Sequence, residues 1–111
     1  MADGDTNDLS ISEQDAFSLS EAAIRLDQAR NDKELLATAL ERNMEIWVAI
    51  RTLVSRAGDR VQGETKDNLV RLSQFVAETT MKHGVDIPEA SLDTLININL
   101  QIAEGLLEGS N

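Results

Sequence analysis

The sequence predicts an all-α protein: a small antiparallel bundle of three long helices plus a shorter or variable N-terminal helix. Apolar residues recur at spacings of three and four, the period of an amphipathic helix, and the alternation typical of strands is missing. The single proline, Pro88, and the glycines lie near the chain ends or between the periodic segments. Connections of about five to eight residues favour antiparallel neighbours.

The first helix is expected to begin at Ser18, because Ser18 and Glu21 have the spacing of a capping box. Ser12 is a possible earlier start. The residues before this helix are polar and acidic, so we assign residues 1–17 to a disordered tail and residues 18–109 to a single helical domain. A chain of 111 residues with 41% hydrophobic residues has enough apolar material for one modest core.

The second predicted helix is the longest. Asn31 and Glu34 offer another capping box, and an unbroken helical pattern runs from there to Ala57. Its apolar seam has a four-three spacing and consists of Leu36, Leu40, Asn43, Trp47, Ile50 and Val54. Roughly half the circumference is apolar, which predicts burial on a broad front.

The third helix is expected from about Thr65 to His83, with Gly84 ending it. Pro88 suits the first position of a fourth helix, where its missing N–H has no partner to lose. The fourth helix is apolar on more than one side, so it either sits centrally or keeps a face for a partner. The predicted core of the bundle is Leu40, Asn43, Trp47, Ile50, Leu72, Phe75, Val76, Leu95, Asn99 and Ile102.

Asn43 and Asn99 fall on apolar seams, and a buried amide without partners costs about 1–3 kcal/mol. Their amides are expected to bond a neighbouring helix, a loop carbonyl or each other, which fixes the register of the bundle. The alternative is a partly open groove in which they orient a bound helix. Trp47 is interpreted as a core residue whose indole N–H donates to an acceptor such as Asn43, and otherwise as an anchor for a partner.

The net charge is −10, and the ten basic residues are spread among twenty acidic ones, which disfavours direct binding of nucleic acid. The lack of cysteine excludes disulfides and thiolate metal sites. The first eight residues are acidic where a signal peptide is basic, and the longest uncharged apolar run, Ile46 to Ile50, is far short of a membrane span. We therefore expect a cytoplasmic protein without membrane insertion.

Few residues suggest chemistry. His83, the only histidine, fits the last turn of a helix and has no second histidine or cysteine with which to bind zinc. Asp93 lies in the opening turns of the last helix, where it stabilises the helix dipole or contacts a partner. No phosphate loop, Ser-His-Asp set or EF-hand spacing occurs. We expect no enzymatic activity, metal or cofactor.

Three segments carry a family resemblance: "LLATALERNMEIWVAI" at residues 35–50, "NLVRLSQFV" at 68–76 and "SLDTLININLQIAEGLL" at 91–107. In this order and spacing they resemble the FlaF family of flagellar biosynthesis regulators, small helical proteins of flagellated alphaproteobacteria. The sequence departs from the family pattern around Asn43, since Arg42 precedes it and Met44 and Ile46 occupy positions that usually hold a basic residue and a leucine.

The resemblance implies a role in flagellin production, because FlaF proteins are linked to flagellin synthesis and export and are thought to bind flagellin alongside the translational regulator FlbT. We therefore expect a flagellin-binding chaperone or adaptor. The alternative is a regulator of flagellin translation that acts on messenger RNA, directly or through FlbT. The partner surface is predicted on the more exposed side of the last helix, at Asp93, Ile96, Asn97, Leu100, Ala103 and Leu107.

Overall fold

The computed structural model describes the backbone of residues 2–57 and 63–109, and the side chains of residues 13–56 and 63–107. It contains the helices α1 (Ala2–Gln28), α2 (Lys33–Ala57), α3 (Gly63–His83) and α4 (Glu89–Gly109). A short 3-10 helix, Gly84–Asp86, joins α3 to α4. The described ranges contain no strand, and the predicted all-α bundle is confirmed.

The first helix is longer than predicted. α1 begins at Ala2, and with 27 residues it is the longest of the four helices, so the prediction of a short helix starting at Ser18 or Ser12 is wrong. The apolar stripe through Leu19 and Leu26 continues back to Ala16, which is buried. Residues 2–17, which we assigned to a disordered tail, are therefore helical in backbone, and the assignment is wrong for them. Met1 and the side chains of residues 2–12 lie outside the described residues.

The cap of α2 is also corrected. The helix begins at Lys33, and Asp32, not Asn31, caps it: the Asp32 Oδ1 accepts the backbone N–H groups of Glu34 at 3.0 Å and Leu35 at 3.2 Å. A carboxylate at the cap pairs two free N–H groups and complements the positive end of the helix. The capping box predicted from Asn31 is thus displaced by one residue.

Glycine and proline set the turn between α3 and α4. Gly84 has a φ of +53°, in the left-handed region that suits a residue without Cβ, and it ends α3 as predicted. Pro88 directly precedes α4, and its carbonyl accepts the N–H of Leu92 at 3.0 Å. The last helix therefore starts within one residue of its predicted position.

The four helices pack in chain order around one core, with three closed seams and one open seam. α1 packs most extensively on α4, α2 packs on both α1 and α3, and α3 meets α4 only briefly. α1 and the turn after it bury four alanines, Ala16, Ala22, Ala23 and Ala29, and small side chains let neighbouring helices approach closely. α3 buries a less apolar face: Leu69, Ser73, Val76 and Thr79.

Most predicted core positions are buried, including Leu40, Ile50, Val76 and Leu95, while Leu72 and Ile102 are partly buried. Phe75 is not a core residue, since 41% of it is exposed. The buried face of α3 is centred on Leu69, Ser73 and Val76, so Phe75 projects from its flank.

Candidate functional site

A buried hydrogen-bond network joins three helices at the centre of the bundle. The Trp47 indole N–H donates to Asn99 Oδ1 at 2.9 Å. The Asn99 Nδ2 donates to the backbone carbonyl of Leu19 at 3.2 Å and to Asn43 Oδ1 at 2.6 Å. Asn43 and Asn99 are 0% exposed and Trp47 is 1% exposed. The network therefore connects side chains of α2 and α4 with the backbone of α1, through the bond from Asn99 to Leu19.

The chemistry of the indole fixes the orientation of both amides. An indole N–H can only donate, so the Asn99 atom facing it must be the oxygen. The Asn99 nitrogen then faces Leu19 and Asn43, which requires the Asn43 oxygen to accept. The Asn43 nitrogen is left buried without a hydrogen-bond partner among the described residues. Asn99 is therefore the hub of the network, and Asn43 is its less satisfied member.

The network decides between the two interpretations of the asparagines, a structural role in the core and an open groove that orients a bound helix. The two amides bond each other and a neighbouring helix, as the structural interpretation predicts, and no groove exposes them. The expected indole acceptor was Asn43, and this is wrong, since Trp47 donates to Asn99. The four-residue spacing of Asn43 and Trp47 in one helix suggested that pair, whereas the acceptor comes from a residue 52 positions later in the chain.

Arg30, just after α1, ties that end of the helix to the start of α4. Its Nε donates to Asp27 at 2.7 Å, its Nη2 donates to Asp93 Oδ1, and its Nη1 lies 3.7 Å from Glu89. Hydrogen bonds with Asp27 and Asp93 raise the pKa of the Arg30 guanidinium. Asp93, predicted as a partner contact or a dipole partner, is engaged within the fold, and α1 and α4 run antiparallel.

The predicted partner surface on α4 divides into two parts. Ile96 and Ala103 are buried, so their assignment to an exposed surface is wrong. Asn97, Leu100 and Leu107 are exposed, with 45% of Leu100 accessible. These three residues line neither of the two grooves described below.

The open seam holds a more concave surface. A groove of about 870 Å³ lies between the first half of α3 and the last turns of α4, and we call it the α3–α4 groove. Sequence reasoning missed it as a site. Its lining consists of Leu69, Ile102 and Leu106, with Glu64, Thr65, Asp67, Asn68, Arg71 and Gly105 around them.

Partly exposed apolar side chains continue along the same seam. We call this set the apolar strip; it consists of Leu72, Phe75, Ile98, Ile102 and Leu106. Leu72 and Phe75 follow the groove residue Asn68 by four and seven positions, and so lie on the same side of α3. Ile98 precedes Ile102 by four positions on α4. The apolar surface therefore extends beyond the groove itself.

A second, smaller groove lies between α1 and α2. It has a volume of about 390 Å³ and is lined by Glu21, Arg25, Gln28, Ala29, Leu35, Thr38, Ala39 and Arg42. Glu21 pairs with Arg25 at 3.3 Å, and Arg42 pairs with Glu45 at 3.6 Å. This groove has less than half the volume of the α3–α4 groove, and it lies along a closed seam.

Comparison with known proteins decides the family. The family model described as "Flagellar protein FlaF" matches residues 6–106, nearly the whole chain. The chain belongs to the FlaF family. Its role is therefore a flagellar one, as the resemblance predicted. No curated protein and no solved structure matches the chain.

In this FlaF-family fold, the three segments that carry the resemblance build both central features. Residues 35–50 and 91–107 contribute Asn43, Trp47 and Asn99 to the buried network. Residues 68–76 and 91–107 contribute most of the two walls of the α3–α4 groove. Where the chain is described, no helix has a stretch long and apolar enough to cross a membrane.

Proposed function

We propose that this FlaF-family protein is a cytoplasmic flagellin-binding chaperone or adaptor, and that the α3–α4 groove receives an amphipathic helix of flagellin. One observation carries the proposal: the bundle leaves one seam open, and that seam carries an apolar floor and the apolar strip. Helices that insert apolar anchors into hydrophobic grooves are a recurring mode of peptide recognition. The terminal helices of flagellin are amphipathic and need cover before assembly.

A helix is the form of partner that this surface favours. The backbone groups within α3 and α4 bond inside their own helices, so the groove offers side chains but no strand edge to extend. Its apolar side chains recur at three and four positions on both walls, which is the spacing of helix anchors. The volume of about 870 Å³ is within the range of sites that bury a ligand of several side chains.

Titration calorimetry with flagellin of the same bacterium tests the proposal, with two matched substitutions. Phe75→Ser removes an apolar side chain from the apolar strip, and Leu100→Ser removes one of similar exposure from the other side of α4; they are 41% and 45% exposed. We expect Phe75→Ser to weaken binding on the order of tenfold and Leu100→Ser to leave it within about twofold.

The outcomes distinguish failure of the proposed function from failure of the proposed binding site. A folded wild-type protein that binds no flagellin of that bacterium contradicts the proposed function. Binding that is weakened by Leu100→Ser but not by Phe75→Ser keeps the function and moves the partner to the exposed edge of α4 that the sequence suggested.

The second candidate is regulation of flagellin translation. Direct contact with messenger RNA is the weaker form of this idea, because Arg25, Arg30, Lys33 and Arg42 each pair with a carboxylate instead of forming a basic patch. Action through FlbT needs only a protein interface. An RNA affinity that falls steeply with added salt, measured without FlbT, is the result that favours the direct route.

The proposal is of a binding protein, not an enzyme. An enzyme site built on Asn43, Asp93 and Asn99 needs those groups in one accessible pocket. Asn43 and Asn99 are fully buried, while Asp93 is half exposed and paired with Arg30. Nothing in their arrangement admits a substrate to all three groups.

A further inference from the structure

Gly105 is a glycine for which the described part of the fold gives no structural reason. It lies inside α4, and it is exposed on the wall of the α3–α4 groove. A glycine inside a helix destabilises that helix relative to alanine. Its φ is not in the left-handed region, and a Cβ added there meets no atom of the described residues within 4 Å. Among the described residues, neither packing nor backbone conformation therefore accounts for it.

The two walls of the groove differ in chemistry. The α4 residues that line the groove, Ile102, Gly105 and Leu106, carry no charge. The α3 wall carries Glu64 and Asp67, which form no ion pair within the described part of the chain, together with Arg71. A helix in the groove thus meets an uncharged lining on α4 and, on α3, two carboxylates and one arginine.

We propose that Gly105 is the point of closest approach for the flagellin helix, and that this helix presents a basic side chain to Glu64 and Asp67. The inference rests on the proposed function and names the chemistry of its partner: an amphipathic helix with a small residue above Gly105 and a lysine or arginine on one flank. Missing side-chain atoms at a crossing point let two helix backbones approach closely. The net charge of −10 opposes a second copy of this chain as the occupant.

The first test compares Gly105→Ala and Gly105→Leu with wild type in flagellin titrations and in urea unfolding. Alanine should raise the unfolding midpoint, because it is the better helix former, and yet weaken flagellin binding about fivefold or more. Leucine should weaken binding by at least about thirtyfold. Asn97→Leu is the matched control, since it adds the same side chain at an exposed position of α4 that does not line the groove; it should bind as wild type does.

The second test addresses charge. The double substitution Glu64→Gln with Asp67→Asn should weaken binding about fivefold or more and reduce its dependence on salt. The control, Glu41→Gln with Glu45→Gln, makes the same change in net charge at exposed positions of α2. It should leave the flagellin affinity and its dependence on salt unchanged.

Failure of the inference differs from failure of the function. If wild type binds flagellin and Gly105→Leu binds equally well, Gly105 is not a contact point and the inference is overturned while the function stands. If the two double substitutions weaken binding equally, the carboxylates act only through net charge, and the basic flank is overturned. If wild type does not bind flagellin, both proposals fall together.

Discussion

The buried amide network makes a sharp prediction about two residues that burial alone cannot tell apart. Asn43 and Asn99 are both 0% exposed and both lie on apolar helix seams. Leucine is close to asparagine in shape, so Asn43→Leu and Asn99→Leu each remove a polar group with little change in packing. We expect Asn99→Leu to destabilise the protein by at least about 1 kcal/mol more than Asn43→Leu.

The magnitude follows from counting the groups that lose a partner. In Asn99→Leu, the Trp47 N–H and the Asn43 Oδ1 both become buried without partners, at about 1–3 kcal/mol each, or about 2–6 kcal/mol in all. The Leu19 carbonyl still accepts its own helical N–H. In Asn43→Leu, the Asn99 Nδ2 keeps Leu19 as its acceptor, and the substitution also removes the Asn43 nitrogen, which has no partner in the described structure. Its net cost is expected within about 1 kcal/mol.

Urea unfolding measures both free energies, and the chain supplies its own probe. Trp47 is the only tryptophan, no tyrosine is present, and the indole sits inside the network, so its fluorescence reports directly on the region being changed. Equal slopes against urea, and agreement with helix loss by circular dichroism, establish that the same two states are compared. An Asn43→Leu protein that loses as much stability as Asn99→Leu would refute the assignment of Asn99 as the hub.

Two further predictions concern charged groups. Burial raises the pKa of Asp15, so its carboxylate destabilises the fold above that raised pKa and does so less as the pH falls toward the ordinary value of 3.8. Asp15→Asn should therefore raise the urea midpoint at pH 7, and this gain should shrink as the pH is lowered. A lowered midpoint at pH 7 would contradict the prediction. Glu13→Gln, at an exposed position of the same helix, is the control. Asp93→Asn should lower the free energy of unfolding by only about 0.2–1 kcal/mol, and by less at high salt, because Asp93 is half exposed and Arg30 retains its ion pair with Asp27. The substitution should leave flagellin affinity unchanged. Weakened binding would instead assign Asp93 to the partner surface.

Helical periodicity predicts which face of a helix is apolar, and here it predicted all four helices and most of the core but placed the start of α1 too late. Alanine gives a weak apolar signal, so the buried Ala16 did not extend the predicted helix toward the N-terminus. The polar composition before Ser18 also outweighed the single buried Ala16. A tail and a helix with an alanine stripe look alike when only hydrophobicity is counted.

The site residues show a different limit of periodicity. A broad apolar face leaves open which flank meets a neighbour and which is exposed. On α4, the sequence suggested the side of Ile96 and Leu100 for a partner, but Ile96 and Ala103 are buried in the core, while Ile98 and Ile102 are only partly buried. The same uncertainty placed Phe75 in the core. Closure of a seam depends on the sizes of side chains from two helices at once, which no single helix pattern contains.

The closed seams hold the bundle together, whereas the open seam is the proposed binding surface. The buried network joins α1, α2 and α4, and none of its described members comes from α3. α3 is held mainly against α2, through a face that includes Ser73 and Thr79 and therefore buries less apolar area than its neighbours. One wall of the α3–α4 groove is thus fixed by the network, and the other belongs to the helix with the weaker attachment. An outward movement of α3 would leave every hydrogen bond of the network intact, because its described members belong to α1, α2 and α4.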